Sequence, residues 1–149
     1  MPFIVNWPGR VAADVSSAML SQVDLAASLV ALAGGSVPTG AATDSENVLP
    51  ALLGESELGR DALLQQGVDA IAIRKGQWKY MGAGERIDWA RVKHDRRGDT
   101  TNSPPMPEVA QLYDLAADPG ETTNVIDLHP GVAQELAELL RKATTDGNQ

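Results

Sequence analysis

Hydrophobic positions follow two different patterns along the chain. In the first part they form continuous runs: Phe3-Ile4-Val5 predicts a short buried strand ended by Trp7-Pro8-Gly9, and 21–33 predicts a helix that is apolar almost all round. Ser21 can act as its N-cap, Asp24 lies in the first turn where the helix dipole favours a carboxylate, and two glycines follow its end. A helix this apolar is expected to be buried on more than one side, and in a chain that lacks its packing partner part of that surface would face water or a second copy of the chain.

The second part of the chain alternates apolar and polar side chains. Segments 70–74 and 77–81 flank Lys75-Gly76 and predict a tight hairpin in which Gly76 takes a positive φ. Further strands are predicted at 61–67 and 109–115. A closing helix at 130–144 carries one apolar stripe, formed by Val132, Leu136, Leu139 and Leu140. This part therefore predicts a small antiparallel sheet packed against a long C-terminal helix.

A sharp turn joins the last predicted strand to the closing helix. Within the run QLYDLAADPGETTNV, Asp118-Pro119-Gly120 must reverse the chain, because proline presets φ and glycine accepts positive φ. Glu121 and Asn124 follow at a spacing at which their side chains can hydrogen-bond free backbone groups of the turn.

Composition excludes several classes of function. Hydrophobic residues make up 43% of the 149 positions, which favours a folded core. The net charge of −8 disfavours nucleic acid, whose backbone requires a basic surface. No apolar run reaches the roughly 20 residues of a membrane helix, so we expect no membrane partner. Without cysteine, disulfides and thiolate metal sites are excluded.

The order of strand, Asp-Pro-Gly-Glu turn, asparagine and helix resembles the C-terminal signature of the sulfatase family, the arylsulfatase-like branch of the alkaline phosphatase superfamily. That signature has the form L-Y-D-L-x-x-D-P-x-E-x-x-N-L. The positions that match it are Leu112, Tyr113, Asp114, Asp118, Pro119, Glu121 and Asn124. The hairpin is similar to a second family segment, A-I-R-x-G-x-W-K-L-I, and Ser28 stands in a helix segment where the family commonly has threonine.

This resemblance implies a fold class of α/β and α+β. Residues 1–58 would be the terminal strand and helices of an alkaline-phosphatase-like catalytic domain. Residues 59–149 would be the C-terminal α+β subdomain, with a long loop at 82–108. Met1 is interpreted as a start within a longer protein, so the implied partner is a missing N-terminal catalytic domain. Family members are often exported, and a periplasmic or secreted location would suit the full-length protein.

The resemblance also implies chemistry that these residues do not carry. Sulfatases attack sulfur with a formylglycine made from the Cys or Ser of a C/S-x-P-x-R motif, and they hold the sulfate against calcium. This sequence has no cysteine and no Ser-x-Pro-x-Arg. Turn and strand-end hydrogen bonding accounts for Asp114 and Asp118 without a metal. The full-length protein is expected to hydrolyse the sulfate ester of a small molecule or glycan, and this chain alone is predicted to be inactive.

The long loop at 82–108 has two interpretations. Its basic residues alternate with acidic ones, which is typical of a solvated loop with self-paired charges. It could instead form a lid over the catalytic cleft, with cationic side chains on the sulfate ester and a tryptophan stacked on a ring. The residues of this candidate substrate-binding lid are Arg86, Trp89, Arg91, Lys93 and His94.

Two other functions compete with the sulfatase interpretation. A phosphonate or phosphodiester hydrolase of the same superfamily would share the closing signature. A stand-alone binding or oligomerisation module would keep only this part of an ancestral enzyme. Because 3–5 and 23–33 are so apolar, self-association of the isolated chain is also predicted.

Overall fold

The computed structural model describes residues 3–66, 71–83 and 109–146. The chain divides into two compact units, Met1–Asp61 and Ala62–Gln149. The assignment of the first unit to a catalytic domain, and of the second to a C-terminal subdomain, remains a prediction. Within the described ranges, no helix has both the length and the apolar character that crossing a membrane requires.

The first unit contains two short helices. A 3₁₀ turn at Gln22–Asp24 leads into α1, Leu25–Leu32, and α2 follows at Leu49–Leu52. Glycines with positive φ follow both helices, Gly34 at 77° and Gly54 at 71°. The predicted helix at 21–33 therefore forms in place, although its first turn is 3₁₀ rather than α.

One prediction for the first unit is wrong. Phe3, Ile4 and Val5 form no strand and are exposed, Ile4 by 84%, because the described sheet consists of four other strands and leaves this segment without a pairing partner. α1 is buried on one side only, in line with the expectation that part of its apolar surface faces water in a chain that lacks its packing partner. It buries Ala27 and Ser28 and leaves most of its larger apolar side chains exposed.

The second unit contains a four-stranded antiparallel sheet in the order β1-β2-β3-β4. The strands are β1 Ala62–Gln66, β2 Ile71–Lys75, β3 Trp78–Met81 and β4 Gln111–Asp114. Lys75 pairs with Trp78, so Gly76 and Gln77 form a two-residue hairpin loop, and Gly76 has a φ of 55°. The predicted hairpin and antiparallel sheet are confirmed, but the hairpin loop lies one residue later than predicted, at Gly76-Gln77 rather than at Lys75-Gly76.

The closing helix, α3, spans Pro130–Asp146 and packs on this sheet. The core between them consists of Ile73, Tyr80, Leu112, Ala133 and Leu136. The other predicted members of the helix stripe, Val132, Leu139 and Leu140, pack against this core. The 3.6-residue spacing of the stripe thus predicted the buried face of α3 correctly.

Candidate functional site

Polar side chains with defined partners gather at two places, one in each unit. In the second unit they form the closing turn, residues 114–124, between β4 and α3. In the first unit they surround α1 and form the Asp24 cluster, defined as Ser21, Asp24, Ser28, Ser45 and Arg60.

Asp118 organises the middle of the closing turn. Its Oδ2 accepts hydrogen bonds from the backbone N–H groups of Thr122 at 2.7 Å and Thr123 at 2.8 Å. These bonds favour the ionised carboxylate, so the N–H of Thr123 above all, and then the N–H and hydroxyl of Thr122, lower the pKa of Asp118. The carboxylate therefore acts as an acceptor that closes the turn.

Asn124 ties β4 to the entry of α3. Its Oδ1 accepts hydrogen bonds from the N–H of Leu112 at 3.0 Å and from the N–H of Ile126 at 3.1 Å, and its Nδ2 donates to the carbonyl of Ala110 at 3.4 Å. One amide therefore satisfies backbone groups on both sides of the turn. Asp114 holds the start of the turn, because its Oδ1 accepts a hydrogen bond from Ala116 N–H at 3.0 Å.

Glu121 binds a partner that its position in the turn did not predict. Its carboxylate contacts Lys79 Nζ at 2.6 and 2.7 Å, and its backbone has a positive φ of 54°. The sheet register explains this pairing, because Lys79 lies opposite Tyr113 and its side chain can reach the turn. The expectation that the Glu121 side chain would hydrogen-bond the backbone of the turn is therefore wrong.

Tyr113 lies buried beside this ion pair. Its hydroxyl donates to Gln111 Oε1 at 3.1 Å. Burial raises the pKa of Tyr113, and the negative charges of Glu121 and Asp118 raise it further. The phenol is therefore held as a neutral hydrogen-bond donor.

Asp24 is the centre of the cluster in the first unit and is 0% exposed. Its Oδ1 accepts from Arg60 Nη1 at 2.7 Å and from Glu46 N–H at 3.0 Å, while its Oδ2 accepts from Ser21 N–H at 2.9 Å. Arg60 also donates from Nη1 to the carbonyl of Asp44 at 3.2 Å. A buried carboxylate requires this number of partners, because an unpaired buried charge is strongly destabilising.

The serines of the cluster attach the loop before α2 to α1. Ser45 Oγ accepts from the N–H of Ala27 at 2.9 Å, and Ser28 Oγ accepts from the N–H of Val48 at 3.0 Å. From the sequence, Asp24 had only a helix-start role and no connection with Arg60. The pairing was missed because a separation of 36 positions leaves no periodic signal.

The hydrogen bonds and ion pairs at these two places hold neighbouring segments of the chain in position. Among residues 3–66, 71–83 and 109–146, no group of three or more His, Cys, Asp or Glu side chains is arranged to hold a metal ion. His129 packs its ring against Trp78, with centroids 4.8 Å apart, and its carbonyl accepts from Ala133 N–H at the start of α3. It thus flanks the closing helix.

The predicted lid lies outside the described residues. Its side chains, Arg86, Trp89, Arg91, Lys93 and His94, are among residues 84–108 and remain a prediction from the sequence. The signature positions of the closing turn, in contrast, all lie within the described part. The structure brings Asp114, Asp118 and Asn124 together as acceptors of backbone N–H groups.

Comparison with known proteins identifies a family through individual relatives, whereas no family model matches the chain. The chain is 40% identical over 146 residues to an N-acetylgalactosamine-6-O-sulfatase of Bacteroides thetaiotaomicron, a match that covers 97% of this chain and 27% of that protein. It is 29% identical over 152 residues to human arylsulfatase A, with 95% of this chain and 29% of that protein covered. The chain thus spans between a quarter and a third of the length of these relatives.

Solved structures agree with this similarity. One, from the metabolism of multiple glycosaminoglycans by Bacteroides thetaiotaomicron, matches with a TM-score of 0.79 and 38% identity, over 97% of this chain and 29% of that one. A second protein, Ps i-CgsB in complex with a neocarrahexaose, matches with a TM-score of 0.62 and 22% identity over 91% of this chain and 27% of that one, and it supports the fold alone. The chain therefore belongs to the sulfatase family and corresponds to a C-terminal portion of its members.

Proposed function

We propose that this chain serves as the C-terminal portion of a sulfate-ester hydrolase that acts on a sulfated sugar. The observation that carries the proposal is the 40% identity to an N-acetylgalactosamine-6-O-sulfatase across 97% of the chain. Human arylsulfatase A, matched over 95% of the chain, supports the same reaction class. The substrate would be a sulfated glycan or a smaller sulfated compound.

In this proposal the 149 residues supply architecture, and hydrolysis depends on other residues of a longer protein. The sequence holds no cysteine and no Ser-x-Pro-x-Arg from which a formylglycine nucleophile could form. The carboxylates of the closing turn do not fit a calcium site, because Asp118 already accepts from Thr122 and Thr123. Calcium and formylglycine would therefore belong to the full-length protein, and no step of the reaction is assigned to this chain.

A chimera tests whether the chain can serve as this portion of a working enzyme. The matching segment of the Bacteroides thetaiotaomicron N-acetylgalactosamine-6-O-sulfatase is replaced by these 149 residues, and hydrolysis of N-acetylgalactosamine 6-sulfate is measured. We expect turnover by the chimera, because the two segments are 40% identical and a sulfatase structure shares this fold. The same enzyme without the segment is the matched control and is expected to be inactive.

Two results would contradict the proposal. A folded chimera without turnover would show that the segment cannot support sulfate-ester hydrolysis. Hydrolysis of an aryl sulfate by the purified 149-residue chain, at a rate that persists through repeated purification, would show that the chain has its own catalytic residues.

The reaction class has a separate test in the sequence encoded before Met1. A C/S-x-P-x-R motif there would agree with a sulfatase, and a different nucleophile would favour the phosphonate or phosphodiester hydrolase. The names of the matched relatives favour the sulfate ester. The stand-alone module would require a complete reading frame with no catalytic segment fused upstream.

A further inference from the structure

The two edges of the four-stranded sheet differ in how their backbone groups are satisfied. β1 forms one edge and β4 the other, because the strand order is β1-β2-β3-β4. The two-residue loop makes Lys75 and Trp78 a hydrogen-bonded pair, and such pairs alternate along an antiparallel ladder. The register therefore shows which backbone groups of each edge strand point toward the neighbouring strand and which point away from the sheet.

At the β4 edge the outward backbone groups have partners. Leu112 donates its N–H to Asn124 Oδ1 at 3.0 Å, and its carbonyl accepts from Val125 N–H at 2.9 Å. The carbonyl of Ala110, just before the strand, accepts from Asn124 Nδ2 at 3.4 Å. The end of the closing turn thus occupies the place of a fifth strand, and it leaves β4 with little to offer another chain.

At the β1 edge the outward backbone groups are open. β1 pairs with β2 in one unbroken register, in which the N–H and C=O groups of Leu63 and Gln65 point toward β2. Those of Ala62, Leu64 and Gln66 point away from the sheet. Within the part of the chain that the structure describes, no residue hydrogen-bonds these outward groups.

The side chains of β1 do not protect this edge. Soluble proteins usually protect an exposed edge strand with lysine, proline or a bulge. β1 has the sequence Ala-Leu-Leu-Gln-Gln, which contains neither charge nor proline, and its register contains no bulge. Leu64 is 43% exposed, and Gln65 and Gln66 are exposed as well. The edge is therefore accessible, and it is neutral in a chain whose net charge is −8.

These properties make the β1 edge complementary to itself. A two-fold axis at Leu64 places Leu64 opposite Leu64 of a second copy, and Ala62 opposite Gln66 of that copy. All of these residues have outward backbone groups, so each pair can exchange two hydrogen bonds. Leucine meets leucine at the axis, and no like charges lie opposite each other. Because two copies repel each other through their net charge, a neutral strip is where they can approach.

We propose that two copies of this chain pair through their β1 edges, which joins two four-stranded sheets into one sheet of eight strands. Five residues from each copy are fewer than the roughly 20–30 of a standard interface, so the dimer is weak and depends on concentration. Association ends at two copies, because a two-fold pairing closes on itself and the β4 edge is occupied. This surface is distinct from segments 3–5 and 23–33, whose apolar character also predicts self-association.

Amide hydrogen exchange, measured by NMR at two protein concentrations about 100-fold apart, tests the pairing without any substitution. At the higher concentration the outward amides of Ala62, Leu64 and Gln66 should exchange at least about tenfold more slowly. Leu63 should be protected at both concentrations because its N–H bonds β2, and Leu112 because its N–H bonds Asn124. Equal exchange of the three outward amides at both concentrations would overturn the proposal.

Two charged variants test the position of the axis. Leu64→Lys and Leu64→Glu each place like charges opposite each other, so each alone should raise the dissociation constant in analytical ultracentrifugation at least about tenfold. An equimolar mixture of the two should associate again, because lysine then lies opposite glutamate. Leu64 is 43% exposed, so both melting temperatures should stay within about 2 °C of the unsubstituted chain. Folded variants whose mixture stays monomeric would show that the axis is not at Leu64 and would overturn the proposal.

Leu128→Lys is the matched control, because Leu128 lies in the same unit, is 75% exposed and is outside β1. It should leave the dissociation constant unchanged. Ile4→Lys tests the other surface, and the proposal is wrong if this variant abolishes association while Leu64→Lys does not. Species larger than a dimer that grow with concentration would also contradict it. If a charged variant of Leu64 does not fold, the exchange experiment on the unsubstituted chain decides.

Discussion

Helices α1 and α3 both carry large apolar side chains but use them in opposite ways. In α3, Leu136 is 1% exposed and packs in the core with Ala133. In α1, Asp24 and Ser28 are buried instead, while Leu29 faces outward. The difference lies in the residues that form each contact face, which are apolar in α3 and largely polar in α1.

This difference separates a helix whose packing is complete from one whose packing is incomplete. The sheet of the second unit covers the apolar stripe of α3, which leaves polar side chains for the outer face. The first unit covers α1 with backbone N–H groups and a guanidinium, which require polar partners on the helix. A second apolar surface is then needed on the other side of α1, and the described part of this chain does not provide it.

The largest expected effect is in the buried ion pair of the first unit. Asp24→Ala would leave Arg60, with its side chain 13% exposed, without its main partner. We expect the first unit to lose about 3–5 kcal/mol of stability. Hydrogen exchange of peptides from 21–60 measures the loss, and peptides from 109–146 should be unaffected if the two units are stabilised separately.

A matched control and a double variant sharpen this result. Arg10→Ala breaks the exposed pair of Arg10 with Glu55 and should cost less than about 1 kcal/mol. Asp24→Leu combined with Arg60→Met removes both charges and should cost less than Asp24→Ala alone. If the double variant were the less stable of the two, the charge pair would not be what holds α1.

A somewhat smaller effect is expected in the apolar core of the second unit. Leu136→Ala removes a side chain that contacts the sheet, and we expect a loss of about 2–5 kcal/mol from the lost burial and the cavity it leaves. Urea unfolding with exchange of peptides from 109–146 measures it. Leu128→Ala, at a position that is 75% exposed, is the control and should change stability by less than about 0.5 kcal/mol. Equal losses for the two variants would place the core elsewhere.

The smallest effect is expected at Asp118, which is half-buried and holds the closing turn by hydrogen bonds. Its folded-state pKa is lowered, so its contribution is complete above the ordinary aspartate pKa of about 3.9 and is lost as the pH falls through the lowered value. Asp118→Asn should therefore lower the melting temperature at pH 6 and have little effect below pH 3. If the difference in melting temperature between the unsubstituted protein and Asp118→Asn grew toward low pH, the stabilising role of the Asp118 carboxylate would be contradicted.

Local chemistry predicted most of the second unit. The Gly76 turn, the alternation in β2 and β3, and the stripe on α3 each depend on residues close together in sequence, and each was found within one residue of the position that the pattern gave. The acceptors of the closing turn belong to the same class, because Asp118 and Asn124 bond backbone groups near them.

The first unit was harder to predict because its elements depend on distant partners. The apolar run at 3–5 has strand propensity, yet no described strand pairs with it, and propensity without a partner does not make a strand. Arg60 and Asp24 are 36 positions apart, and Lys79 and Glu121 are 42 apart. Such pairs leave no trace in hydrophobic periodicity.

The amino-acid sequence by itself determined the family, the hairpin, the closing turn and the closing helix of this protein, because short-range backbone preferences and periodic burial produce them. Only the tertiary structure decided which side of α1 faces inward. Helix periodicity defines the faces of α1 but cannot assign them, since the choice depends on the buried charge pair and on hydrogen bonds to residues 45–48, which are brought to the helix by the fold.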